Sequence, residues 1–364
     1  MKEAKIDIET KGLEIDKAWR ERNLSFQFFG PCSAESLAQL HFTAQGLSNQ
    51  FDQLIFRAGV WKPRTRPNSF EGAGDIALEW LKEIKQTYGF KIATEVANAE
   101  HVEKCLTAGV DVLWIGARTT VNPFTVQAIA DALKGVDLPV FVKNPIHPDL
   151  SLWMGALERI NLAGIKKIGA IHRGFHLSDN APYRNYPNWN LAVQLKATYP
   201  NMPIVCDASH ISGKPDLIPR VAQRSIDLDM DGLMIETHYL PEQALSDKDQ
   251  QITPEALISI IKELIPKNKS SNNRDFKNRL ELLREEIDKV DDDLMDRIAE
   301  RMNLASQIGE YKKQNNVTIL QLERWQEILN RVLLSGNVMG LSESFIKAMY
   351  NAIHDESIRK QTDS

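Results

Sequence analysis

Short apolar segments rich in β-branched and aromatic residues recur eight times along about the first 240 residues of the chain. Each is followed by a stretch with room for a helix, and this alternation is typical of a parallel sheet covered on both faces. Eight such units predict an α/β fold, a closed (β/α)8 or TIM barrel. An open doubly wound sheet is the alternative, although no GxGxxG motif follows the first strand. The predicted strands are residues 25–30, 54–59, 91–96, 112–117, 139–144, 167–172, 203–208 and 232–237.

The pattern changes after Pro266, the last of the 16 prolines. From Phe276 to Ile308 apolar residues recur in steps of three and four, which predicts a long helix over about 275–313. Such a helix would be roughly 58 Å long, so its apolar stripe needs another chain for burial. Two further helices are predicted over about 320–335 and 342–361. We expect a smaller all-α three-helix domain that forms an intertwined homodimer; a coiled-coil tether is the alternative.

The predicted domain limits are 1–265 for the barrel, 266–274 for a polar linker and 275–364 for the helical domain. About 23 residues precede the first strand, so we expect no separate N-terminal regulatory domain. With 43% hydrophobic and 26% charged residues, the chain is not expected to be disordered or to span a membrane. Its start lacks the apolar stretch of a signal peptide, which predicts a cytoplasmic protein.

The net charge of −5 gives no indication of a nucleic-acid or membrane partner. Six cationic side chains nevertheless occur at or after the carboxyl ends of the predicted strands. In barrels of this type the active site lies at those ends. We therefore expect a small-molecule substrate with two or more phosphate or carboxylate groups. The cations are Arg57, Lys62, Arg64, Arg118, Lys143 and Arg173.

A second group at the same strand ends contains one thiol, one imidazole and two carboxylates. These ligand types suit a divalent transition metal with an open coordination position. A lone cysteine is more often a small buried apolar residue, and a lone arginine is usually solvated. Because both groups follow the same strand ends, the site is the stronger interpretation. The candidate ligands are Cys32, His210, Glu236 and Asp247.

Seven motifs give the barrel a family resemblance. They are GPCSAES (30–36), FRAGVWKPRTRP (56–67), TEV (94–96), IGAR (115–118), CDASHISG (206–213), DGLMIETH (231–238) and SDKDQ (246–250). In this order they resemble the type Iβ 3-deoxy-D-arabino-heptulosonate 7-phosphate (DAHP) synthases over about residues 24–265. The KPRT segment separates them from the related 3-deoxy-manno-octulosonate 8-phosphate synthases, which use a different aldose phosphate.

The resemblance implies the condensation of phosphoenolpyruvate with erythrose 4-phosphate, with release of phosphate. It assigns the four candidate ligands to the metal, which could be Mn2+, Fe2+, Co2+ or Zn2+. It gives Arg64 and Thr65 to the aldose phosphate. From the chemistry of this reaction we expect Glu95 to order the water that adds at C2 and Lys62 to transfer a proton. The residues that would bind phosphoenolpyruvate are Arg57, Lys62, Ala117, Arg118, Lys143 and Arg173.

The sequence departs from that family at two motifs. CDASH stands where many members have DPSH, and VFVKNP stands where many have a KRG-like end to strand five. Both changes retain the residue with the assigned role, His210 in the first and Lys143 in the second. The departures therefore affect the positioning of these side chains rather than the reaction.

The segments 280–314, 319–329 and 356–361 resemble the all-helical chorismate mutases, over about residues 275–361. The resemblance implies the rearrangement of chorismate to prephenate, without a metal. Arg284 from the partner chain and Arg301 would hold the two carboxylates, and Lys312 and Gln361 would hydrogen-bond the ether oxygen. Supporting contacts are implied for Gln321, Arg324 and Ser357.

Beside the substrate hydroxyl, where family members often have Asp and Glu, this chain has Gln321 and Trp325. The first hypothesis is a bifunctional enzyme of aromatic amino-acid biosynthesis whose barrel is regulated by prephenate or chorismate bound at the helical domain. A second hypothesis makes the helical domain a dimerisation and sensor module with weak catalysis. A third gives the barrel another aldose phosphate as substrate.

Overall fold

The computed structural model describes residues 12–16, 19, 26–51, 53–62, 70–176, 182–268 and 270–363. The chain divides into two compact units, Met1–Lys269 and Ser270–Ser364. Each unit is described by itself. In the described part of the chain, every helix is too short or too polar to cross a membrane.

The first unit is built on parallel strands that close into a barrel in the order β1 to β8. The closure pairs β1 with β8 through Phe26 opposite Gly232 and Gly30 opposite Glu236. This confirms the predicted (β/α)8 barrel and excludes the open sheet. The strands are β1 Phe26–Gly30, β2 Leu54–Arg57, β3 Lys91–Val96, β4 Val112–Ile115, β5 Val140–Lys143, β6 Ile168–His172, β7 Ile204–Asp207 and β8 Gly232–Glu236.

Several helices of the barrel unit begin after polar residues whose side chains cap free backbone N–H groups. Asn98 and Thr253, for example, accept hydrogen bonds from the N–H groups of His101 and Ala256. The helices are α1 Leu37–Leu47, α2 Ile76–Tyr88, α3 Ala99–Ala108, α4 Ala117–Thr120, α5 Pro123–Ala132, α6 Leu150–Leu162, α7 Trp189–Thr198, α8 Ala208–Ser212, α9 Ile218–Asp227 and α10 Pro254–Glu263. The short α4 and α8 begin directly at the ends of β4 and β7, so they fix the side chains that follow those strands.

Two apolar layers make up the barrel core. The inner layer fills the barrel with side chains from alternate strand positions, among them Phe28, Trp114 and Phe141. Phe141 packs edge-on against Phe28 with ring centroids 5.0 Å apart. The outer layer lies between the strands and the helices. Because the interior is packed with aromatic rings, the barrel is a rigid support and the open chemistry is confined to its ends.

The second unit contains α11 Arg274–Gln314, α12 Leu322–Val338 and α13 Glu343–Asp363 within the described residues 270–363. These match the three predicted helices. α13 packs against both α11 and α12 around the buried Met302, Ala305 and Ile346. Along the first half of α11 the apolar side chains of Ile287 and Val290 are 59% and 64% exposed. One chain alone therefore leaves most of the apolar stripe in contact with solvent.

Candidate active sites

Three of the four predicted metal ligands meet at the carboxyl end of the barrel. Cys32, Glu236 and Asp247 each offer a ligand atom within 4.8 Å of the others. Glu236 ends β8, whereas Cys32 and Asp247 lie in the loops after β1 and β8. The Cys32 sulfur lies 3.6 Å from Asp247 Oδ2. A thiol and two carboxylates this close form a donor set that suits a divalent transition metal.

His210, the fourth predicted ligand, lies at the edge of this group. Its Nε2 is 3.9 Å from Asp247 Oδ2, and its Nδ1 is 3.0 Å from Asp207 Oδ1. Histidines that bind metals usually donate their other ring N–H to a carboxylate, and Asp207 is placed for this. Burial lowers the pKa of His210 despite the opposite effect of Asp207. A neutral imidazole results, as metal binding requires.

Burial of the thiol, reinforced by the negative charge of Glu236, raises the pKa of Cys32 to about 12. Burial also opposes ionisation of Asp247, but the positive charge that His210 carries in the acid range where this carboxyl titrates, together with that of Arg184, outweighs burial and lowers the pKa of the carboxyl. Asp247 has a backbone φ of 45°, in the left-handed region that residues with a Cβ rarely adopt. Such strain is typical of functional sites, where neighbouring contacts maintain it.

Three of the predicted cations contact a candidate metal ligand or the neighbouring Asp207. Arg57 donates from Nη1 to Glu236 Oε1 at 2.7 Å, and Lys143 Nζ donates to Asp207 Oδ2 at 2.8 Å. Lys62 Nζ lies 3.1 Å from the Cys32 sulfur. The buried Nε of Arg57 has no hydrogen-bond partner among the residues that the structure describes. A buried N–H donor without an acceptor is costly, so this atom is suited to a bound anion.

Arg118 and Arg173 lie at the same end of the barrel. Arg118 is exposed on α4, whose Ala117 begins the helix. Arg173 follows β6 and donates from Nη1 to Asn185 Oδ1 at 2.8 Å. Burial, with the nearby charges of Arg184 and Arg118, lowers the pKa of Arg173 to about 10 against the opposite effect of Asp207. Three guanidinium groups close enough to influence one another form a positive surface suited to an anionic substrate.

Glu95 is held in place at the end of β3. Trp114 Nε1 donates to its Oε2 at 2.9 Å. The other oxygen lies over Gly116, where a Cβ would be only 2.1 Å from Oε1. A glycine at this position is therefore required for the observed orientation of the carboxylate. Arg64 and Thr65, predicted to bind the aldose phosphate, lie outside the described residues.

Sequence reasoning missed three residues of this site. Asp207 supports His210 from three residues earlier, a spacing that could have indicated the pair. Gln250 donates to Glu236 Oε2 at 2.6 Å and lies three residues after Asp247 in the short helical turn Lys248–Gln250. Arg184 lies 3.4 Å from Asp247. It belongs to an irregular loop, so no sequence pattern indicated its position.

In the helical unit, four of the predicted residues form two adjacent pairs. Arg301 Nη1 donates to Ser357 Oγ at 2.5 Å, and Lys312 Nζ donates to Gln361 Oε1 at 3.1 Å. Because Ser357 and Gln361 are one turn apart on α13, the two cations converge from separate positions on α11. A Cβ at Gly309 would lie 2.7 Å from the Gln361 backbone, so this glycine lets α11 and α13 approach closely.

The other predicted residues of the helical unit lie elsewhere on it. Arg284 is 63% exposed and pairs with Glu281 at 3.6 Å. It precedes Arg301 by 17 residues on one continuous helix, or about 26 Å along the axis. One chain therefore cannot bring both arginines to one small ligand. Gln321 is exposed at the start of α12, where Arg324 pairs with Glu327 at 2.9 Å.

Trp325 stacks on His354, with ring centroids 3.9 Å apart and planes 18° from parallel. Burial lowers the pKa of His354, and the Arg301 charge acts in the same direction against Asp355. Arg301 is thus close enough to affect this ring. The stack fills space between α12 and α13 beside the Arg301–Ser357 pair.

Comparisons with known proteins divide the chain in the same way. A family model described as the DAHP synthetase I family matches residues 21–270, and one described as chorismate mutase type II matches residues 283–362. A phospho-2-dehydro-3-deoxyheptonate aldolase of Thermotoga maritima is 32% identical over 235 residues, which cover 65% of this chain and 67% of that protein. A 2-dehydro-3-deoxyphosphooctonate aldolase of Wolinella succinogenes is 26% identical over 65% of this chain and 96% of its own length.

Solved structures give a similar result for the barrel. The crystal structure of the Thermotoga maritima phospho-2-dehydro-3-deoxyheptonate aldolase (DAHP synthase) has a TM-score of 0.59 and 28% identity. It matches 65% of this chain and 67% of that one. A truncated form of the 3-deoxy-D-arabino-heptulosonate 7-phosphate synthase from the same organism has a TM-score of 0.57 and 26% identity, over 65% of this chain and 84% of its own.

Proposed function

The chain belongs to the DAHP synthetase I family and carries a C-terminal chorismate mutase type II domain, and from this premise we propose which reactions its two sites catalyse. The barrel would join phosphoenolpyruvate to erythrose 4-phosphate and release phosphate, forming DAHP. The helical domain would rearrange chorismate to prephenate. Together they make the chain a bifunctional enzyme of the shikimate pathway and aromatic amino-acid biosynthesis.

The observation that carries the barrel proposal is the meeting of a metal-type donor set with a cationic surface at one end of the barrel. Phosphoenolpyruvate carries a phosphate and a carboxylate, and the cationic groups can bind both. The free Nε of Arg57 supplies a desolvated donor for one of them. We assign the binding of phosphoenolpyruvate to Arg57, Lys62, Ala117, Arg118, Lys143 and Arg173, and the binding of the aldose phosphate to Arg64 and Thr65.

Cys32, His210, Glu236 and Asp247 would hold the metal, with Mn2+, Fe2+, Co2+ and Zn2+ as candidates. When bound, such an ion supplies Lewis-acid polarisation of the aldehyde carbonyl. We assign to Glu95, which Trp114 orients, the ordering of the water that adds at C2 of phosphoenolpyruvate. Lys62, whose pKa the Cys32 sulfur and Glu236 raise against the effect of burial, retains the proton that it can give to the new alkoxide.

An assay with competing aldoses tests the barrel proposal. With phosphoenolpyruvate in excess, we expect erythrose 4-phosphate to be consumed at least about tenfold faster than arabinose 5-phosphate, since a fitted polar site discriminates by 1.4 kcal/mol or more. Phosphate release and the mass of the product report the reaction. A preference for arabinose 5-phosphate would support the third hypothesis and contradict this one.

For the helical domain, the supporting observation is the pair of cations, Arg301 and Lys312, that converge beside Ser357 and Gln361. A rearrangement within one molecule needs no acid, base or metal. The protein has only to hold a compact conformer and stabilise negative charge on the ether oxygen. We assign a carboxylate to Arg301, the ether oxygen to Lys312 and Gln361, and supporting contacts to Gln321, Arg324 and Ser357.

We further propose that the helical domain forms a homodimer in which Arg284 of one chain completes the site of the other. The separation of Arg284 from Arg301 on one helix supports this, as does the exposed apolar stripe around Ile287 and Val290. Ile287→Glu should produce monomers and reduce mutase activity, because it places a charge on the apolar surface that the proposed dimer would bury. Sedimentation velocity on the full chain measures the mass. The control is Asp288→Asn, since Asp288 is next to Ile287 in sequence but lies off the apolar stripe. If the Ile287→Glu protein remains dimeric, the proposal is contradicted.

Regulation of the barrel by prephenate or chorismate bound at the helical domain is the finer part of the proposal. We expect the synthase rate to change across a prephenate titration in the wild type and to stay constant in Arg301→Ala. A flat wild-type curve contradicts regulation. The Trp325–His354 stack favours the alternative of a weakly catalytic sensor domain, which predicts a synthase response without measurable chorismate turnover.

A further inference from the structure

One buried glutamine joins the loops that carry the candidate metal ligands. Gln251 is 2% exposed, and its side-chain Oε1 accepts a hydrogen bond from the backbone N–H of Cys32 at 3.0 Å. Its Nε2 donates to the carbonyl oxygen of Ser246 at 2.8 Å. We call these two hydrogen bonds the Gln251 bridge. The bridge connects Cys32, after β1, to the residue that precedes Asp247, after β8.

The backbone around Gln251 is also fixed to the third ligand position. The N–H of the next residue, Ile252, donates to the carbonyl oxygen of Glu236 at 3.1 Å. The N–H of His238 in turn donates to the Ile252 carbonyl oxygen at 2.9 Å. Gln251 therefore stands in a segment held in register with the end of β8. The side-chain hydrogen bonds of Gln251 and the backbone hydrogen bonds of this segment together connect the positions of Cys32, Glu236 and Asp247.

A second set of contacts joins the same two loops. The hydroxyl groups of Ser33 and Ser246 are 2.5 Å apart, and Ser33 Oγ donates to Glu35 Oε1 at 3.0 Å. The same carboxylate oxygen accepts from the N–H of Leu245 at 2.9 Å. Ser246 is thus held by hydrogen bonds to both its carbonyl oxygen and its hydroxyl group. It directly precedes Asp247, whose backbone is strained in the left-handed region.

We propose that Gln251 is a positioning residue for metal binding in the barrel, because its amide sets the separation between Cys32 and Asp247. The inference rests on the proposed metal-dependent synthase. A neutral amide can accept from an N–H group and donate to a carbonyl oxygen at the same time, as this position requires. Without it, the buried N–H of Cys32 loses its acceptor, and the loop that carries the sulfur is free to move away.

Gln251→Met tests this inference, since methionine has a similar shape and makes neither hydrogen bond. In the full-length protein stripped of metal, Co2+ binding is measured by competition with a chelator. We expect the dissociation constant to rise about tenfold to a hundredfold, as for other residues that orient metal ligands. The thiolate-to-cobalt absorption should also weaken, because Cys32 is displaced. The matched control is Gln243→Met, at an exposed glutamine of the same loop, which should bind Co2+ like the wild type.

Melting temperatures of the metal-free proteins separate positioning from stability. If Gln251→Met melts earlier but binds Co2+ with unchanged affinity and absorption, the inference is overturned. If that variant does not fold, Gln251→Glu replaces it. The glutamate side chain keeps an acceptor for the Cys32 N–H but places an oxygen against the Ser246 carbonyl oxygen. An unchanged Co2+ affinity of this variant also overturns the inference. A wild type that binds no Co2+ overturns the proposed metal site as well, whereas wild-type binding with an unaffected variant overturns this inference alone.

Discussion

Cys32→Ala is expected to lower synthase turnover by at least about a thousandfold, because loss of metal polarisation removes several kcal/mol of transition-state stabilisation. The sulfur is the only thiol ligand in the predicted set, and it lies within 4.8 Å of the two carboxylates. Its removal leaves Glu236 and Asp247 without the soft ligand that favours transition metals. Phosphate release from phosphoenolpyruvate in the presence of erythrose 4-phosphate measures the loss, and chorismate turnover should be unchanged.

Cys105→Ala is the matched control for this substitution. Cys105 is also buried, but it lies in the outer core on α3, away from the site. Its replacement should lower stability by about 1 kcal/mol, as for a small buried side chain, with synthase activity retained. Full synthase activity in Cys32→Ala would show that the sulfur is not a ligand. The barrel chemistry proposed above would then be wrong.

The pH dependence of metal binding gives a second measurement on the same residue. Burial raises the pKa of the Cys32 thiol to about 12, so the thiol is protonated throughout the neutral range. Binding as a thiolate must displace that proton, and the apparent affinity should therefore rise about tenfold for each unit of pH. The affinity of Cys32→Ala should depend less steeply on pH. Chelator competition at pH 6.5, 7.5 and 8.5 measures both slopes.

Arg301→Ala is expected to lower chorismate turnover by about a hundredfold to a thousandfold, the effect of removing one preorganised charged donor. Arg301 on α11 is half-buried and donates to Ser357 Oγ on α13 at 2.5 Å, and this partial burial strengthens its interaction with a carboxylate. The synthase rate without added prephenate should be unchanged. Loss of chorismate absorbance measures the mutase reaction.

Arg297→Ala is the control, since Arg297 lies one turn earlier on α11 and is 80% exposed in a pair with Glu300. It should retain full mutase activity. Equal activities of Arg301→Ala and the wild type would remove Arg301 from the site. If the wild type itself is inert toward chorismate while the barrel is active, the helical domain is a sensor or a tether.

The sequence alone determined the architecture, because strands and helices bury apolar residues with periods that survive in the linear chain. The eight apolar segments matched the eight strands of the described barrel, and the spacing along α11 matched a helix from Arg274 to Gln314. The carboxyl ends of parallel strands meet at one end of a barrel, so strand position also brought Cys32, Glu236 and Lys143 to one region.

Only the tertiary structure decided which side chains touch. Arg184 beside Asp247 and the Gln251 bridge depend on loop paths. Such contacts join residues distant in sequence and follow no periodicity, so no pattern in the chain encodes them. The convergence of Arg301 and Lys312 required a close approach of α11 to α13 at Gly309. Sequence thus specified the elements and the kinds of ligand, while packing set the distances on which their chemistry depends.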